Sequence, residues 1–265
     1  QGQVTHQAAE VYETFFVPGL FGQWPERVID TTGIASGHRV LDVGCGTGVL
    51  ARAAWRVVGK EGRVVGLDPN VGMLEVARRS PEPIEWVPGV AENLPFADGE
   101  FDHVVSQFAA MFFEDRARAV EEMARVAADD GRVTVVTWAE ISQSPGYLAM
   151  ASLLEELFGA ATARAVTVPF TLGRPSEVRD LLAQALSDVR IEVLPGEASF
   201  ESIEAWVHTE IRGWTLAGSI DDDQYDALLR ACLTRMAPFT DTTGRVRFPA
   251  PALVGHGTPS RPGRT

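Results

Sequence analysis

The residues best suited to chemistry begin at a glycine turn. Val40, Leu41 and Val43 flank one acid, Asp42, and the chain then reads Gly44-Cys45-Gly46-Thr47-Gly48 before a helical pattern opens at Val49. A strand, a tight turn and a helix start follow from that change of hydrophobic period. Closely spaced glycines let the backbone turn with positive φ and let a ligand approach where a Cβ would collide. The unpaired N–H groups of the helix's first turn face such a ligand and favour its anionic or carboxylate end. A dinucleotide loop, GxGxxG, requires glycine where Val49 stands, and a phosphate loop, GxxxxGK[S/T], is absent because Val49 and Leu50 follow Gly48. A second acid, Asp68, closes the next apolar run 20 residues after Gly48. That is the usual interval to a carboxylate gripping a ribose diol, through charge-assisted bonds of about 1.5 to 3 kcal/mol each. The expected ligand carries adenosine.

The residues after Asp68 narrow the choice. The run 68–78 reads D-x-x-x-x-M-L-x-x-A-R, and residues 94–102 read LPFADGEFD. With the acid and GxGxG ahead of them, these segments resemble the class I S-adenosylmethionine (SAM) dependent methyltransferases, and among those the ubiquinone/menaquinone C-methyltransferase group. The resemblance covers about residues 40–138. It implies that Asp42, Gly44, Cys45, Gly46, Thr47 and Gly48 serve the methionine end of SAM and that Asp68, with Pro69, holds the ribose. Met73 would pack beside the adenine, Ala91 and Glu92 would meet the ring and its exocyclic amine, and Gln107 and Phe108 would border the methyl. The product would be S-adenosylhomocysteine (SAH).

Positioning these residues requires strands at 39–42, 63–67, 85–87, 103–106 and 132–137 with helices between them, hence an α/β fold with a doubly wound, mostly parallel sheet. Seven strands are expected, as in the Rossmann-like methyltransferase fold, with ligand at their carboxyl ends. Residues 1–32 read as an N-terminal helical lid, 33–138 as the SAM-binding core, and 139–257 as the rest of the core with cap insertions at about 139–174 and 199–244. Within that last part, 166–173 reads as extended, 189–194 as a strand and 244–257 as the last strand. The tail 258–265 reads as disordered. Pro18-Gly19 should interrupt the first helix, and Glu121 and Glu122 should lie on the wet side of a helix over 116–126.

Methyl transfer from a sulfonium asks mainly for alignment, which can contribute on the order of 7 to 11 kcal/mol, so a side chain is needed only to remove a proton. The candidates are His6, Tyr12 and His208, and no constellation singles out one of them. Tyr12, Phe16, Met111 and Phe112 are expected to border a small, partly apolar acceptor, quinone-like or a specialised metabolite, methylated at O, N or C. Amine-directed relatives carry [N/D]-P-P-[Y/F/W] after the fourth strand, where this chain has Ser106-Gln107-Phe108-Ala109. Two rival readings are a SAM-binding enzyme of cyclase type and an NAD-binding oxidoreductase.

Composition sets the outer bounds. A formal net charge of −13 argues against a nucleic-acid partner. With 45% apolar and 22% charged residues the chain can bury a sizeable core. Two cysteines provide no disulfide or metal framework, and no apolar run has the length of a membrane span. A cytoplasmic monomer or homodimer without a metal is the expectation.

Overall fold

The computed structural model describes residues 6–212, 216 and 220–260, with side chains from residue 9 onward. The chain opens with α1 (His6–Val11), a π-helical segment (Tyr12–Phe21) and α2 (Trp24–Thr32). The alternating core then runs β1 (Arg39–Val43), α3 (Val49–Val58), β2 (Arg63–Asp68), α4 (Val71–Ala77), β3 (Glu85–Pro88), β4 (Phe101–Gln107), α5 (Arg116–Val126) and β5 (Ala127–Trp138). Next come α6 (Pro145–Phe158), α7 (Ala160–Thr167), α8 (Pro175–Leu182), β6 (Leu186–Leu194), β7 (Glu197–Phe200), α9 (Ile203–Arg212) and α10 (Asp222–Arg235). The last two strands are β8 (Val246–Pro249) and β9 (Ala252–Pro259).

Seven strands form one sheet in the order β3-β2-β1-β4-β5-β9-β6, with β9 antiparallel to both neighbours and the first five parallel. The apolar runs of β1 and β2 are buried on both faces because helices cover each side. Strand order reverses at β1, which pairs with β2 on one side and β4 on the other, and this opens a crevice at their carboxyl ends.

Several local expectations are corrected. Pro18 sits inside the segment Tyr12–Phe21 and does not interrupt it; Gly22 N donates back to Val17 O at 2.6 Å, an i→i+5 bond that spans the proline. Residues 166–173 are not extended: α7 runs to Thr167 and a 3₁₀ turn, Val168–Phe170, follows. The single final strand over 244–257 is two strands parted near Pro251, of which β8 leaves the main sheet to pair with β7. That two-stranded ribbon brackets the helical insertion, so Ser199 and Phe200 are strand residues and not the start of a helix. Thr258 and Pro259 belong to β9, paired with Ser187 and Leu186, so no disordered tail begins there. Residues 261–265 lie outside the described residues.

Glu122 departs furthest from its expected place. It is only 3% exposed, accepts a hydrogen bond from Leu94 N at 2.9 Å and pairs with Arg118 and Arg125. Arg125 in turn donates to the carbonyls of Leu94 and Phe96 and to Asp98. The LPFADGEFD segment is thus tied to α5 through its backbone, and its end is tied to β1 by the Arg39–Asp102 ion pair.

At the opposite end of the sheet from the crevice, His103 Nε2 lies 3.1 Å from His38 Nδ1, with the rings stacked at 5.0 Å. Burial first, then the neighbouring His38 and Arg132, pushes the His103 pKa down to about 4. An unfolded histidine titrates near 6.5, so between about pH 6.5 and 4 the unfolded chain binds the extra proton and this residue's contribution to stability falls as pH drops. His103→Gln should therefore lose less stability than wild type between pH 7 and 4.5, by roughly 2 kcal/mol. Urea unfolding at both pH values checks this, and equal losses in the two proteins would refute it.

Candidate functional site

A cavity occupies the crevice. Gly44, Cys45 and Gly46 form its floor, Asp42 and Asp68 its acidic side, Pro69 and Met73 another wall, and Gln107 and Phe108 its rim toward β4. Nine of the expected cofactor residues are thereby brought together. Val49, Leu50, Asn70, Ala109 and Phe113 also line it and carry no motif that would have marked them. Thr47, Gly48, Ala91 and Glu92 lie outside the lining. Gly48 lies against the Trp86 ring, and the Glu92 carboxylate accepts from Glu114 N at 2.8 Å and Asp115 N at 3.3 Å, at the start of α5.

The two acids hold the glycine turn as well as facing the cavity. Asp68 accepts from Gly46 N and from Asn70 N, both at 2.8 Å, and Asp42 accepts from Ala51 N in the first turn of α3 at 3.0 Å. Burial raises the pKa of both, Asp42 to about 7, while those backbone bonds act against the shift. The same burial pushes the Cys45 thiol up, so it is a passive wall and not a thiolate.

A Cβ built at Gly46 meets nothing within 4 Å, so the backbone there stands bare toward open space. Gln107 Oε1 is buried on the rim without a hydrogen-bond partner. A bare backbone, two carboxylates and an unpaired amide oxygen around one cavity suit an amino-acid and ribose-bearing ligand.

A second, smaller cavity shares the wall formed by Tyr12, Phe21, Phe108 and Phe112 with the first. Phe108 adopts φ +54°, which costs a non-glycine residue about 1 kcal/mol or more. It is held there by stacking on Trp138 at 3.8 Å and 12° and by its N–H bond to Val136 O. Phe16 lines the second cavity as expected of an acceptor residue, whereas Met111 is buried in the core beside it and reaches neither cavity.

Tyr12 lines both cavities, and burial together with Glu13, Asp68 and Asp42 keeps its hydroxyl protonated. It can donate a hydrogen bond but is no base near neutral pH. His208 is exposed on α9 with its ring 6.3 Å from that of Phe15, outside both linings. His6 begins α1, and its side chain lies outside the described residues. Sequence reasoning missed the one carboxylate that does line the second cavity, Glu210 on α9. It is 6% exposed, accepts from Trp206 Nε1 at 3.1 Å and is hydrogen-bonded to Tyr147 of α6. Its signal was present in the WVHTE run, where Trp206 and Glu210 are spaced i,i+4 on one helix face. Among the described residues there is no cluster of three or more His, Cys, Asp or Glu able to hold a metal ion, and no helix long and apolar enough to cross a membrane.

Residues 41–135 match the family model described as a methyltransferase domain. The ubiquinone/menaquinone biosynthesis C-methyltransferase UbiE of Hahella chejuensis is 37% identical over 128 residues, 46% of this chain and 51% of that protein. UbiE of Pseudomonas paraeruginosa is 34% identical over 151 residues, 54% and 59% of the two chains. The chain thus spans about half the length of the curated relatives it matches. Among solved structures, the YcgJ protein of Bacillus subtilis superposes with TM-score 0.58 at 23% identity, over 91% of this chain and 100% of that one. A Haemonchus contortus phosphoethanolamine N-methyltransferase 2 in complex with SAH superposes with TM-score 0.60 at 17% identity, over 97% and 58%. Residues 41–135 thus match a methyltransferase domain, and the chain is similar to the UbiE group over about half of its length.

Proposed function

We propose that the chain transfers a methyl group from SAM to a small, partly apolar acceptor. The observation that carries this reading is the pair of adjoining cavities, one polar at the glycine turn and one aromatic, with Phe108 and Tyr12 in their common wall. When bound, SAM supplies a sulfonium methyl that is already electrophilic. The bare backbone at Gly46 and the first turn of α3 receive its amino-acid end. Asp68 accepts from the ribose hydroxyls through lone pairs not used by Gly46 and Asn70. Met73 and Pro69 flank the base. Gln107 Oε1 accepts from a polar group of the cofactor at the rim, and Phe108, fixed by Trp138, sets how close an acceptor comes.

Within this reading the acceptor chamber joins Phe108 and Phe112 of the matched domain to residues from outside it. The lid segment contributes Phe16, the stretch after β5 contributes Tyr147 and Phe170, and the insertion between β6 and β9 contributes Glu210. Ring-shaped acceptors such as quinones and aromatic specialised metabolites suit these walls.

Calorimetric titration with SAM, SAH and NADH tests the cofactor, and labelled SAM with an acceptor panel tests the transfer. Micromolar binding of the first two, none of NADH, and label appearing in an acceptor are expected. Binding of NADH without SAM would overturn the reading, and SAM binding without transfer to any acceptor would reduce it to SAM binding.

A further inference from the structure

The aromatic cavity holds one ionisable group that nothing in the glycine-turn site uses. Glu210 reaches it from α9, with its carboxylate braced by the Trp206 indole N–H and the Tyr147 hydroxyl. The brace is rigid. Trp206 is fully buried, stacked on Phe200 at 5.7 Å and edge-on to Tyr147 at 5.7 Å, and Phe248 of β8 packs against both at 4.9 and 5.4 Å. Resting on the methyl-transfer reading above, we propose that Glu210 is the proton acceptor of this chamber and that the acceptor molecule is an aromatic hydroxyl compound of phenol type.

Three observations favour a neutral hydroxyl over an amine. No cationic side chain lines this cavity among the described residues, and both donors to Glu210 are neutral, so no cation holds the carboxylate ionised and it takes up a proton from a neutral donor. An ammonium ion would have to shed its hydration into a chamber walled by Phe16, Phe108, Trp138 and Phe170. Burial raises the Glu210 carboxyl to about 7, opposed by Tyr147 and Trp206, so it exchanges a proton near neutral pH, where a general base is most useful. Tyr147 of α6 and Tyr12 of the N-terminal segment are the other titratable side chains lining the cavity, and burial keeps both protonated there.

In the step, the acceptor's O–H bond breaks and its proton goes to a Glu210 carboxylate oxygen, leaving the electron pair on the acceptor oxygen. That oxygen forms a bond to the methyl carbon as the S–CH₃ bond breaks with its pair left on sulfur. SAM becomes neutral SAH, the acceptor becomes a methyl ether, and neutral Glu210 returns its proton to water after product leaves.

The test uses the whole chain, wild type and Glu210→Gln, with 2-naphthol and catechol as probes and labelled SAM. Calorimetry with SAH comes first and should show equal affinity in the two proteins, because Glu210 is absent from the cofactor lining. Absence of SAH binding to wild type sinks the methyl-transfer reading itself, and this inference with it. With SAH bound, wild type should methylate a probe at a kcat that rises with pH through about 7 and then levels. Glu210→Gln should lower kcat about 10²- to 10⁴-fold with little change in KM and should abolish that rise. Failure of wild type to methylate either probe, a flat wild-type profile from pH 5.5 to 8.5, or a variant within about threefold of wild type would each overturn the assignment. The wild-type profile decides the matter even if the variant does not fold.

Discussion

Asp68→Ala is expected to weaken SAM and SAH binding about 10- to 100-fold in calorimetry, the equivalent of about 1.5 to 3 kcal/mol. The loss has two sources. The ribose hydroxyls lose their acceptor, and the backbone N–H groups of Gly46 and Asn70 lose theirs, which loosens the turn that forms the cavity floor. The second source also costs stability, on the order of 1 to 3 kcal/mol, because orphaned donors near the core are penalised. Urea unfolding of the free protein separates the two. A variant that loses stability and keeps its SAH affinity would mean that Asp68 only scaffolds the turn.

Gly46→Ala and Gly48→Ala should fail in opposite ways, although the two glycines stand two residues apart in one motif. Both have positive φ, +55° and +84°, so alanine is strained at either position by about 1 to 2 kcal/mol. At Gly46 nothing lies within 4 Å of the new methyl, and it projects where the ligand is expected. At Gly48 the methyl runs into the Trp86 ring, which packs from β3 across the turn. Overpacking of that kind costs a further 1 to 3 kcal/mol. Gly46→Ala should therefore unfold within about 2 kcal/mol of wild type yet bind SAH at least 10-fold more weakly. Gly48→Ala should be destabilised by about 2 to 5 kcal/mol, with folded protein that still binds SAH. Equal stability losses in the two, or unchanged affinity in Gly46→Ala, would contradict the division of roles.

The glycine turn, Asp68 and Met73 were legible because each depends on near neighbours in the chain. A strand that ends in GxGxG has few other local solutions, and an acid one βα unit later falls at the adjoining strand end. Glu92 shows the limit of such reasoning. Its motif marked the adenine pocket, but its carboxylate is on the amides at the start of α5. Gly48 likewise looks like its two companions in sequence, and only Trp86, from a strand nearly forty residues on, shows what its missing side chain is for.

Tyr12, Phe16 and Phe112 were marked from sequence as acceptor-side residues and line the second cavity, but its one carboxylate depended on tertiary structure. In WVHTE the histidine is the familiar catalytic residue and invites selection, but on a helix with 3.6 residues per turn it points about 200° away from both Trp206 and Glu210. Which of those faces turns inward is set by the β7–β8 ribbon and α6, whose aromatic side chains bury Trp206 and carry Glu210 in beside it. Ribbon pairing joins residues about fifty positions apart, and sequence periodicity holds no record of such contacts. Sequence by itself determined the alternating core of the sheet and the glycine turn, because their hydrogen bonds and turns are local and repeat with a fixed period, while the cofactor class rested on the resemblance of its motifs. Only the tertiary structure decided which carboxylate faces the acceptor, because that follows from which helix face the packing of distant segments buries.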